Sequence, residues 1–106
     1  MSDWIDVGPE SEIAPGEFRV TDFGDVEIAV INVDGEFYAI EDVCTHDGGE
    51  LTGGIIDGDQ IECPRHGARF CIRTGEVLLP PAYENVQTFP CRLHDGVVQV
   101  RDSRDD

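Results

Sequence analysis

"VEIAVINVDGEFYAI", residues 26–40, decides the fold. Its first half is rich in β-branched residues, and Asp34-Gly35 then interrupts the apolar run. An Asp-Gly pair supplies the positive-φ positions that a two-residue hairpin turn needs, so two antiparallel strands are predicted here. The device recurs. "GGIIDGDQIEC" (53–63) offers Asp57-Gly58 or Gly58-Asp59 as a turn, and "RLHDGVVQVR" (92–101) offers Asp95-Gly96. Upstream, "DWIDVG" (3–8) alternates and "GEFRVTD" (16–22) reads as a further strand. Twelve Gly and six Pro punctuate the chain, and hardly any stretch has helical periodicity. Many short strands with frequent turns imply a small all-β sandwich or barrel. No internal repeat or linker divides it, and the acidic end "DSRDD" (102–106) is expected to fray.

Composition narrows the function. A chain of 106 residues is one domain's length, and 40% hydrophobic residues suffice for one core. No run approaches the ~20 apolar residues of a membrane span. The start, "MSDWIDVGPESE", lacks a basic segment followed by an apolar one, so no signal peptide is expected and a cytoplasmic location is. Cysteines in a reducing compartment read as ligands or buried thiols rather than disulfides. The net charge is −16, from 23 acids against seven Arg and no Lys. Nucleic acid and anionic membranes repel such a surface. The charge is a solvated surface, an adaptation to salt, or a field that steers the protein to a basic partner.

Two Gly-containing segments break the strand pattern, and each carries a Cys-His pair: "VCTHDGGELTGG" (43–54) and "CPRHGARF" (63–70). The pairs read Cys44-x-His46, sixteen intervening residues, then Cys63-x-x-His66. One hairpin joins the two loops, so four unrelated side chains are a poor account of them. A tetrahedral zinc site takes two Cys and two His, but zinc knuckles usually group like ligands, and here they are interleaved. A catalytic Cys-His pair would leave the second pair unexplained. A two-iron cluster accommodates the interleaving. Each loop would send one ligand to each iron, so one iron takes both thiolates and the other both imidazoles. Two neutral imidazoles in place of two thiolates raise the reduction potential to roughly −150 to +300 mV, against about −400 mV for all-Cys plant-type clusters.

"CTH…CPRHG" resembles the Rieske iron–sulfur motif. Nearly the whole chain is similar to soluble Rieske-type ferredoxins, above all the ferredoxin components of bacterial aromatic-ring-hydroxylating dioxygenase systems. The resemblance implies a single Rieske domain over 1–106, an antiparallel β sandwich or barrel with cluster-binding loops at about 43–54 and 63–70. It implies one [2Fe-2S] cluster, with Cys44 and Cys63 on the inner iron and His46 and His66 on the outer one. "LLPPAY" (78–83) resembles the proline loop that covers the cluster from a third side. The implied function is one-electron transport from an NAD(P)H-dependent flavoprotein reductase to a terminal oxygenase. The carrier would be a cytoplasmic monomer with no substrate chemistry of its own, serving aromatic hydrocarbon catabolism. The partner face would be the rim 46–51, 64–67 and 79–82. Two rivals are an accessory subunit of nitrite-reductase type, which as a rule lacks these ligands, and a zinc-stabilised binding module. A terminal oxygenase subunit would need room for a second, mononuclear iron domain.

Departures from the respiratory Rieske proteins sharpen the expectation. Their loops carry an extra Cys each, forming a disulfide; the matching positions here are Gly49 and Arg65. Their Ser and Tyr hydroxyls near the cluster correspond to Ala68 and Phe70, which predicts a low potential for the class. Outside the motif, Cys71 and Cys91 are expected to be small buried hydrophobes and His94 an exposed side chain. Trp4 is expected as a core or edge anchor, and Arg73 as a solvated or sheet-covering side chain. Arg65, between two ligands, is expected close to the cluster, raising its potential slightly or touching an acidic partner.

Overall fold

The computed structural model describes residues 3–104, and these form three antiparallel sheets. The first contains β1 (Trp4–Pro9), β10 (Cys91–His94) and β11 (Val97–Arg101), in the order β1-β11-β10. The second contains β2 (Phe18–Asp22), β3 (Glu27–Val33), β4 (Glu36–Glu41) and the short β9 (Thr88–Phe89), in that order. The third contains β5 (Ile55–Asp57), β6 (Gln60–Glu62), β7 (Arg69–Cys71) and β8 (Val77–Leu79), also in sequence order. A three-residue 3₁₀ turn, Glu10–Glu12, follows β1. No helix among the described residues is long and apolar enough to cross a membrane.

The expected hairpins form, and backbone conformation explains their sequences. Asp34 and Gly35 both have positive φ (52° and 92°), as do Asp95 and Gly96 (52° and 78°), the pattern of a type I′ turn. The third turn resolves to Gly58-Asp59: Asp57 pairs with Gln60 across it, and Gly58 alone takes positive φ (61°). Buried Asn32 locks the first turn, accepting from the Gly35 N–H at 2.7 Å and donating to the Ile13 carbonyl at 2.7 Å.

Strand β3 shows why "VEIAVINV" does not alternate. It is buried on both faces after Glu27. Ala29, Ile31 and Val33 face a core shared with Cys44, Leu51, Ile61, Cys63, Ala68, Phe70 and Ile72. Ile28 and Val30 face a second core with Ile13, Ala39, Phe89, Val98 and Val100. The second sheet is thus the middle layer, between the terminal sheet and the one that carries the Cys63 loop. Each fully buried Ile or Val on β3 contributes about 1.5–3 kcal/mol, so this layer fixes the register of everything around it.

Several expectations change. The chain end was expected to fray, yet Arg104 donates to both carboxylate oxygens of Asp25 (2.9 and 3.0 Å) and to Asp102 (2.7 Å); residues 105–106 lie outside the described residues. The proline loop begins later than 78, because Val77–Leu79 pair in a sheet. Of the two readings of Arg73, the sheet-covering one holds: its guanidinium lies 5.3 Å from the ring centroid of Tyr38 on β4 and donates to the Tyr38 hydroxyl at 2.7 Å. Trp4 keeps one of its two expected roles, that of an edge anchor, stacked under Arg92 at 4.2 Å.

One glycine between the first loop and the third sheet has no room for a side chain. A Cβ on Gly54 would collide with the Glu62 carbonyl oxygen, which is backbone and cannot swing aside. Ile55 pairs with Glu62 at that point, so relief would open the β5–β6 ladder. Gly54→Ala is expected to cost about 1–3 kcal/mol, seen as a lowered melting temperature. An unchanged melting temperature would contradict the contact.

Candidate metal centre

Two loops of the same construction hold the four sequence-predicted ligands. The Cys44 N–H donates to the Gly49 carbonyl (2.7 Å), and the Gly48 N–H returns to the Cys44 carbonyl (2.8 Å). In the second loop the Cys63 N–H donates to the Ala68 carbonyl (2.7 Å), and the Gly67 N–H returns to the Cys63 carbonyl (3.1 Å). Each cysteine therefore bonds to the residues five and four places on. The fourth-place residue is a glycine with φ of 77° in both loops, which a side chain would strain. The sequences differ by one residue in the Cys–His spacing, yet the backbone turns correspond.

This construction sorts the ligands by depth. Cys44 and Cys63 are buried, at 0% and 1% exposure, inside the core that β3 lines. His46 and His66 are exposed, with ring centroids 5.0 Å apart and planes at 88°. The thiol pair and the imidazole pair each gather within 4.8 Å, and each does so together with an Asp47 oxygen. Among the described residues no such grouping joins a cysteine to a histidine. One tetrahedral ion would need all four donor atoms in one coordination sphere, so the arrangement disfavours a single zinc. It fits a group with two ends, soft thiolates within and imidazoles without. Burial pushes the Cys44 thiol up, and the neighbouring Cys63 thiol adds to this. The Cys44 thiol therefore gives up its proton less readily than an exposed thiol, unless a cationic centre draws it off, as a metal does.

Three residues that sequence reasoning did not single out hold the loops. Asp42 is buried, and its carboxylate accepts from the N–H groups of Leu51 (2.8 Å) and Thr52 (2.9 Å) and from the Thr52 hydroxyl (2.6 Å). It thus ties the two ends of the first loop together. Thr45 donates its hydroxyl to the Glu84 carbonyl at 2.7 Å, bringing the proline loop against the first ligand loop. Ala82 and Val86 of that segment pack in the core around the cysteines. Asp47 accepts from Arg65 Nε at 2.6 Å and Arg65 Nη2 at 3.1 Å. The Arg65 guanidinium, with help from the Gly49 N–H, holds the Asp47 carboxyl well below the usual carboxylate range. Both oxygens are occupied, so Asp47 is not a spare metal donor. Arg65 is close to the ligands as expected, but its charge is matched within the chain rather than offered to an acidic partner.

The remaining candidates stand apart. Cys71 and Cys91 are free thiols, half-buried rather than buried as expected. Burial still pushes the Cys91 thiol up to about 12, which makes it a poor nucleophile. His94 is exposed beside Asp95. Among the cations, Arg69 is bound up with Glu62 and Asp57 on the third sheet.

Comparisons with known proteins agree with this geometry. The family model described as the Rieske [2Fe-2S] domain matches residues 3–90. The biphenyl dioxygenase ferredoxin subunit of Pseudomonas sp. (strain KKS102) is 43% identical over 94 residues, spanning 88% of this chain and 86% of that protein. Among solved structures, the complex of reduced oxygenase and oxidised ferredoxin in carbazole 1,9a-dioxygenase contains a chain that superposes with a TM-score of 0.90. That chain is 36% identical, and the match covers 95% of this chain and 94% of that one. The ferredoxin of carbazole 1,9a-dioxygenase from Nocardioides aromaticivorans IC177 gives a TM-score of 0.89 at 26% identity, over 94% and 98% of the two chains.

Proposed function

Since the chain belongs to the Rieske [2Fe-2S] domain family, we propose that it is the one-electron carrier of a multicomponent aromatic-ring dioxygenase system. One [2Fe-2S] cluster is the family's cofactor, and when bound it supplies reversible uptake of a single electron. Cys44 and Cys63 would hold its inner iron and His46 and His66 its outer iron, in loops of a single Rieske domain at 43–54 and at 63–68, the expected second loop being shortened because Arg69 and Phe70 already pair in β7. The observation that carries this assignment is the sorting of ligands: two buried thiols stand behind two exposed imidazoles on loops of one construction. The apolar core around the thiols excludes water. The imidazoles open to the surface and give the electron its exit.

The route runs from an NAD(P)H-dependent flavoprotein reductase to a terminal oxygenase, with the protein acting as a cytoplasmic monomer. Purified anaerobically, it should be red-brown, contain two irons per chain, and bleach on dithionite. Colourless protein holding one zinc would end this reading.

The docking face is the rim of the two ligand loops together with the proline loop. We extend that rim, which already holds Leu79 (47% exposed), to Leu78 and Tyr83, which are 38% and 83% exposed. An apolar patch inside a strongly acidic surround suits transient docking onto an oxygenase face with a basic border. Tyr83→Ala is expected to raise the KM for this protein in oxygenase turnover about tenfold, near 1.4 kcal/mol of lost contact. The reduction potential should stay where it was. An unchanged KM would remove Tyr83 from the interface.

A further inference from the structure

We propose that Arg65 is a positioning residue that latches the two ligand loops together. The inference rests on the iron–sulfur reading, because it concerns how that reading's ligand loops are held. No covalent bond joins the loops here. Apart from the contact between the Cys44 and Cys63 thiols, the hydrogen bonds between the described residues of the two loops either leave Arg65 or end on Asp47. Arg65 makes the strong ones. Its Nε and Nη2 form a two-pronged pair with the Asp47 carboxylate, and Nη2 also donates to the Glu50 carbonyl at 2.8 Å. Asp47 follows His46 in sequence, and Arg65 precedes His66. The latch therefore joins the residues next to the two imidazoles.

A glycine makes room for it. A Cβ on Gly49 would lie 2.6 Å from the Arg65 guanidinium carbon and 2.7 Å from Nη2. The guanidinium thus rests on the face of Gly49, and the two positions act as a unit. Exposed ion pairs usually contribute little, because two side chains must give up freedom to meet. This pair differs in being bidentate, in having a third bond to the backbone, and in keeping the Asp47 side chain only 19% exposed. Its role is to hold two donor sets at one separation before the group binds, and to resist their parting afterwards.

The test compares holoprotein of wild type, Arg65→Ala, Arg65→Lys, Gly49→Ala and the Gly49→Ala/Arg65→Ala double variant. The first readout is the rate at which visible absorption is lost in excess chelator. Arg65→Ala is expected to lose its cluster about fivefold faster than wild type, the scale of a well-formed exposed pair. Arg65→Lys should fall between them, since it keeps the charge and loses the fork. Gly49→Ala should match Arg65→Ala, because its methyl group evicts the guanidinium while leaving both charges in place. The double variant should be no faster than Arg65→Ala alone, because the methyl group then displaces nothing. A second readout uses cluster-free protein, in which amide hydrogen exchange across 45–50 and 64–67 should quicken in Arg65→Ala and Gly49→Ala. Wild-type decay rates in Arg65→Ala, or additive effects in the double variant, would overturn the latch while leaving the iron–sulfur reading intact. A colourless wild-type protein would overturn that reading and the latch with it.

Discussion

Cys63→Ser protein is expected to leave purification colourless, with iron far below two per chain. The sulfur it removes is one of a buried pair, at 1% exposure, in a core of aliphatic and aromatic side chains. A serine oxygen is a harder and shorter-reaching donor than a thiolate, and iron–sulfur clusters are held by thiolate ligands. Its grouping holds no third thiol among the described residues, and Asp47, the remaining member, is a hard carboxylate held by Arg65. Cys44→Ser, His46→Ala and His66→Ala should behave alike, each leaving one iron with a single protein ligand. Cys71→Ser, Cys91→Ser and His94→Ala should keep full colour, because none of the three belongs to the grouping. Iron content and visible absorption measure the outcome, with circular dichroism confirming that the strands persist. A Cys44→Ser or Cys63→Ser protein with a full iron complement would sink the ligand assignment.

Scarcity made the candidate ligand set stand out. Four Cys and three His in the whole chain leave few ways to build a soft-ligand site, and two Cys-His pairs use most of them. The hairpins were legible because Asp-Gly leaves the backbone little choice of turn. The layering was not. A strand buried on one face alternates, whereas β3 is buried on both and reads as a plain apolar run, which says nothing about what lies on either side. Asp42 was invisible for the opposite reason. One carboxylate among 23 acids carries no mark of being the one that folds inward to grip Leu51 and Thr52.

The Arg65 latch lay between these cases. Its position was expected to be close to the cluster, but a cation in so acidic a chain has many carboxylates within reach, and spacing alone does not select Asp47. The half-burial of Cys71 and Cys91 was missed because both lie where a sheet ends or turns, so the strand pattern gives them no definite face. What the sequence expresses well is local backbone chemistry and rare side chains. What it expresses poorly is which member of an abundant class meets a distant partner.

Ala68→Ser and Phe70→Tyr are expected to raise the reduction potential, each by tens of millivolts. Both residues are fully buried in the core that contains Cys44 and Cys63, and the Ala68 carbonyl accepts from the Cys63 N–H at 2.7 Å. Neither side chain offers a hydroxyl, so neither can donate to sulfur. Sulfur gains negative charge on reduction, and a donor aimed at it stabilises the reduced state more than the oxidised one. Hydrogen bonds to charged groups contribute about 1.5–3 kcal/mol, and about 1.4 kcal/mol corresponds to 59 mV for one electron. Only part of each bond differs between the redox states, so the two substitutions together should shift the potential by about 100 mV. The cost sits on the other side of the balance: a new buried hydroxyl that finds no partner destabilises the fold by about 1–3 kcal/mol. The two effects separate cleanly. A raised potential with an unchanged melting temperature means the hydroxyl has reached sulfur, while a lowered melting temperature with an unchanged potential means that it has not. If both variants keep their cluster and neither potential rises, the low potential expected of this protein must come from solvent at His46 and His66 rather than from the missing donors.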